Sequence, residues 1–107
     1  EQYVSNINEY AQLQNLSDFA NTSSDKKTLK FFANKINHPL WMLNKECKVV
    51  NQNFDDYQGF LNSGYCSLTL LNNFFNKLRL LEIYDKTKII IVSDHGSNFI
   101  NSKKNKN

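Results

Sequence analysis

Long hydrophobic runs are absent from this chain: nothing in its 107 residues approaches the roughly 20 consecutive apolar positions of a membrane-spanning helix. No stretch has the form of a signal peptide either. Glycine is scarce, and Gly59, Gly64 and Gly96 form no G-x-G-x-x-G pattern, which speaks against a dinucleotide-binding loop. There are two cysteines, Cys47 and Cys66. They fit one disulfide or two buried thiols, and the position of Cys66 inside a helical pattern leans toward thiols. Excess charge is small, a formal net +3, and Lys103, Lys104 and Lys106 in the tail account for it. The remainder is near neutral and carries no basic footprint, so nucleic acid is not an expected partner. The sequence has no internal repeat.

What is present concentrates in residues 88–96, Lys-Ile-Ile-Ile-Val-Ser-Asp-His-Gly. The run Ile89, Ile90, Ile91, Val92 reads as a strand buried on both faces, as in a parallel sheet. Asp94 and His95 then lie at its carboxyl end, where open α/β sheets hold ligands, and Gly96 lets the backbone turn. A carboxylate beside an imidazole can give two ligands to a divalent cation. Upstream, Leu61, Tyr65, Leu68, Leu71, Phe75, Leu78 and Leu81 recur in steps of three and four, predicting an amphipathic helix over 61–81. Lys77 and Arg79 suit the negative end of its dipole. Residues 28–33 read as an earlier strand. Tyr3, Ile7, Tyr10, Leu13, Leu16 and Phe19 predict a first helix over 3–20, which Ser17 and Asp18 could interrupt.

Residues 21–25 read as a polar loop, and residues 45–50 as a short strand or an irregular excursion. Asp55 and Asp56 are candidate caps for the long helix, whose first turns Gly59 and Gly64 weaken. The aromatic residues Phe31, Phe32, Trp41, Phe54, Tyr57, Phe60, Phe74 and Phe75 are available for a core. The expected fold class is therefore α/β, a parallel sheet flanked by helices. Strands 29–33 and 89–92 should pair in parallel, with the helix crossing between them on the right-handed side. Two parallel strands leave open edges, through which a second copy could associate. Residues 1–100 form the expected domain and 101–107 a disordered Lys/Asn-rich tail.

A long helix, a brief connection Glu82-Ile83-Tyr84-Asp85-Lys86-Thr87, and a strand ending in Ser-Asp-His-Gly resemble one region of the alkaline phosphatase superfamily. More narrowly, the stretch is similar to the sulfatase-like branch of sulfatases, phosphoethanolamine transferases and lipoteichoic acid synthases. A second point of likeness lies upstream, where Asn37-His38-Pro39 follows the first strand at the place of that branch's Thr-His-x-Pro-like segment. Asn37 stands where Thr is usual, and Pro39 comes one residue early. The resemblance covers about residues 16–96, only part of the family's catalytic domain. The upstream nucleophile and first metal-binding acid have no counterpart, and neither cysteine sits in a Cys-x-Pro-x-Arg context.

The resemblance implies that Asp94 and His95 are metal ligands and that His38 is a catalytic residue, binding the substrate's anionic group or protonating the leaving oxygen. An Asp-His pair suits zinc or manganese better than calcium, which prefers oxygen. The implied substrate is a phospho- or sulfo-ester of a cell-envelope lipid or glycan, and the implied location is extracytoplasmic, in a membrane-anchored parent protein. No membrane contact is expected of this chain itself. Without a nucleophile it should not turn over alone. Trp41 and Tyr65 read as core or rim residues. A non-catalytic α/β module and an unrelated Rossmann-like domain are the alternatives.

Overall fold

A computed structural model describes residues 2–39, 41–50 and 56–96. Helix α1 spans Gln2–Phe19 and helix α2 Asp56–Leu80, followed by a short 3₁₀ turn, Tyr84–Lys86. The α/β expectation is overturned: the chain is a small two-helix protein, and no strand forms among the described residues. The only ladder element among them is an isolated antiparallel bridge between Leu43 and Val49.

The two expected strands show why. Residues 28–33 and 88–92 are neither helical nor laddered. Leu29 is 97% exposed, Phe31 91%, Ile90 75% and Val92 83%, so neither segment is buried on two faces as a central strand would be. Strand propensity records how well a residue suits a pleated, half-buried surface. With no neighbouring edge and no covering layer, β-branched residues have no such surface to occupy. The parallel pairing and the right-handed crossover fall with the strands, and so does the Rossmann-like alternative.

α1 runs unbroken through Ser17 and Asp18, as the spacing of Tyr10, Leu13 and Leu16 allows. Leu13 is buried, with Tyr10 and Leu16 packed beside it, whereas Phe19 projects into solvent. Beyond the helix, the Asn21 side-chain amide donates to the Phe19 carbonyl at 3.0 Å, satisfying one terminal acceptor.

α2 exists as expected, but its buried face only partly follows the apolar stripe. Tyr65 and Leu68, from that stripe, are 60% and 64% exposed. Leu78 of the same stripe is buried and Leu71 packs against the core, but Asn62, Ser63, Cys66, Ser67 and Leu70, outside the stripe, are buried with them. The buried hydroxyl of Ser67 donates to the Gly64 carbonyl at 2.9 Å, and Asn62 Oδ1 accepts from Gln58 Nε2 at 2.9 Å. Small residues on this face let other chain segments approach the helix axis closely. Gly59 is the clearest case: a Cβ there would lie 2.6–2.7 Å from three carbons of Trp41.

What packs on that face is a strap, residues 34–50 apart from residue 40. Its near end is tied to α1, where Asn34 Nδ2 donates to the Glu9 carbonyl and Lys35 N to Glu9 Oε2, each at 2.9 Å. Its far end is a tight hairpin organised by Asn44. The backbone of Asn44 pairs with Lys48 and Cys47, while its side-chain oxygen accepts from Glu46 N and Lys48 N at 3.1 and 2.9 Å. Cys47 takes the left-handed conformation the turn requires, φ 62°. Ile36 and Leu43 from the strap join Leu13, Cys66 and Leu70 in one aliphatic core. Of the aromatic residues expected inside, Trp41 is buried, Phe31 is wholly outside, and Phe54 lies outside the described residues.

Candidate functional site

Asp94 and His95 lie in the segment after the 3₁₀ turn, with side chains 90% and 76% exposed. His95 Nε2 is 3.8 Å from Asp94 Oδ1, and His95 Nδ1 is 2.7 Å from the Gly96 carbonyl oxygen. The carbonyl, and after it the Asp94 carboxylate, hold the imidazole pKa above its ordinary value, because both stabilise the protonated ring. The Ser93 hydroxyl donates to the His95 carbonyl, closing a small polar turn. Both side chains are thus on one short loop and open to solvent.

His38 is placed elsewhere. It follows the Lys35 turn of the strap, donating its backbone N–H to the Lys35 carbonyl at 2.9 Å, and its side chain is exposed. Beside it, Trp41 Nε1 donates to the Asn37 carbonyl at 3.3 Å. The described residues contain no group of three or more His, Cys, Asp or Glu side chains able to hold a metal ion. His38 therefore does not complete a three-ligand set with Asp94 and His95 in this structure. A carboxylate and an imidazole suit zinc or manganese chemically, but two donors are an incomplete set.

A groove between the helices is lined by Gln14, Ser17, Asp18, Leu70 and Asn73. It includes none of the three candidate residues.

Of the two readings the cysteines allow, the structure takes the one the sequence leans against: Cys47 and Cys66 form a disulfide with a Cα–Cα distance of 5.0 Å. Helical placement of Cys66 was no obstacle, since a strap hairpin can bring its partner to the helix flank. The scarcity of cysteine and the Asn44 turn ahead of Cys47 were the available signals.

No protein-family model, curated protein or solved structure matches the chain. Among the described residues, no helix is long and apolar enough to cross a membrane.

Proposed function

We propose that this chain contributes a two-ligand divalent-cation half-site, Asp94 with His95, to a sulfatase-like phosphoryl- or sulfuryl-transfer centre, and that it does not turn over alone. The observation supporting this reading is the adjacency of the two side chains, 3.8 Å apart and both open to solvent. Zinc or manganese held there would screen charge developing on a transferred phosphoryl or sulfuryl group. The residues of this chain bind and orient that ion. His38 is the candidate for the anionic end of a phospho- or sulfo-ester or for the proton of its leaving oxygen. The Cys47–Cys66 disulfide is in keeping with an extracytoplasmic location. A remaining ligand and the nucleophile would have to come from outside the described residues.

Calorimetric titration of zinc and of manganese into the purified chain and into His95→Ala tests the half-site. Weak binding by the parent and none by the variant is expected; identical binding by both removes the proposal. Binding should also weaken on acidification, because the Gly96 carbonyl and the Asp94 carboxylate favour the protonated His95 ring, and a proton there competes with the metal. Neither aryl phosphate nor aryl sulfate should be hydrolysed faster than in metal-containing buffer. Metal-dependent turnover abolished by Asp94→Ala would show that the chain carries a complete centre.

The other reading is a non-catalytic helical module in which the Asp-His pair has no metal role. The absence of a three-ligand group among the described residues favours it, and a titration without binding would select it.

A further inference from the structure

Among the described residues, the strap is held to the helix pair by hydrogen bonds, by packed side chains that include Ile36, Trp41 and Leu43, and by a covalent bond that redox chemistry can open. At its near end Glu9 of α1 holds Asn34 and Lys35 by hydrogen bonds. In the middle, buried Trp41 lies directly against Gly59 of α2. At the tip the disulfide joins Cys47 of the hairpin to Cys66, which is 0% exposed and central to the core. Within residues 41–50 Trp41 and Leu43 are buried, while Val49 is 54% exposed and bridges only to Leu43 among the described residues. Once the tether is removed, the packing of those two side chains is what opposes the entropy of release.

We propose that the Cys47–Cys66 bond is a redox-set latch: oxidised, it clamps residues 41–50 over the α1/α2 core; reduced, it lets that part of the strap swing away while its Glu9-anchored end and the helices stay in place. Latching is a two-electron exchange. Cys47 and Cys66 each give up one proton and one electron, a sulfur–sulfur bond forms between them, and a small-molecule disulfide such as oxidised glutathione takes both and leaves as two thiols. A dithiol reductant reverses the exchange. Access separates the two sulfurs. Cys66 is wholly enclosed and Cys47 only partly buried, so an incoming thiolate attacks the Cys47 sulfur and expels Cys66 into the core. That leaving thiolate gains solvent only when the hairpin lifts, which couples bond cleavage to opening. Opening strips the cover from Leu13 and Leu70 and frees Trp41 from Gly59, making an apolar surface where the oxidised protein has a closed one.

The chain contains a single tryptophan, so its emission reports on the strap alone. The purified oxidised chain is compared with the same chain equilibrated in glutathione buffers of decreasing oxidising power and with dithiothreitol. Expected on reduction are a red shift of Trp41 emission, alkylation of Cys66 by iodoacetamide, binding of an apolar dye, and retained helical circular dichroism. All should return on reoxidation. Cys47→Ser should show the opened behaviour at every redox setting. Cys66→Ala, which leaves no buried thiol behind, should do the same and guards against a misleading effect of one variant. Unchanged Trp41 emission in the reduced chain and in both variants would overturn the latch, since the strap would then hold without it. Loss of the helical signal on reduction would also overturn it, by making the bond a staple for the whole fold.

Discussion

Gly59 and Gly64 sit in the same helix, and a methyl group added at each would meet opposite surroundings. At Gly59 it would press on the Cβ, Cδ2 and Cε3 of buried Trp41; at Gly64 there is nothing within 4 Å. Alanine gains about 1 kcal/mol over glycine in a helix interior. Gly64→Ala should therefore stabilise the chain by up to about 1 kcal/mol, since φ there is already helical. Gly59→Ala should destabilise it by up to about 2 kcal/mol, because overpacking a close contact costs about 1–3 kcal/mol against the same helical gain. Urea denaturation of the two variants beside the parent measures both signs. In the sequence the two glycines look alike, as weak points in a helix. Only the position of Trp41 tells them apart.

Element boundaries show the same division. α2 ends in a Schellman arrangement, Ile83 N donating to the Leu78 carbonyl at 3.0 Å and Glu82 N to the Arg79 carbonyl at 2.9 Å. The residue in the left-handed position is Glu82, φ 59°, where glycine is the unstrained choice. Glu82→Gly should raise stability by about 0.5–1 kcal/mol and the melting temperature by several degrees for a chain of this size. A thermal melt that is unchanged or lowered would show that the Glu82 side chain contributes more than its backbone costs. Just beyond, Arg79 Cζ lies 4.2 Å from the Tyr84 ring centroid and Phe75 meets the same ring edge-on, which fixes the 3₁₀ turn to the helix end.

At the scale of the whole molecule, the aliphatic core and the exposed apolar segments make opposite demands on substitution. Leu70 is 5% exposed within the core, and Leu70→Ala should cost about 2–5 kcal/mol. Ile90 is 75% exposed, and Ile90→Lys should change stability by no more than about 0.5 kcal/mol. Chemical denaturation of both variants distinguishes this fold from a buried strand over 89–92. Unfolding by Ile90→Lys would mean that the segment is packed after all.

The local character of the chain was largely open to a reader of its sequence. Helical periodicity in the N-terminal third and before Leu80 depends only on neighbours three and four positions apart, and both helices form. Asp94 and His95 come together because they are adjacent in the chain, whatever surrounds them. Strands, in contrast, exist only by pairing, and the runs around Leu29 and Ile90 specify a preference without specifying a neighbour. Helix phase was equally hidden: the apolar stripe through Tyr65 and Leu68 predicted one buried face, and the disulfide at Cys66 with the small residues around it turned another inward. The sequence by itself determined where the chain coils into helix and which ligating side chains stand side by side. The tertiary structure decided which face is buried, that Cys47 reaches Cys66, and that His38 forms no three-donor group with Asp94 and His95 among the described residues, because each depends on how residues far apart in sequence are brought together.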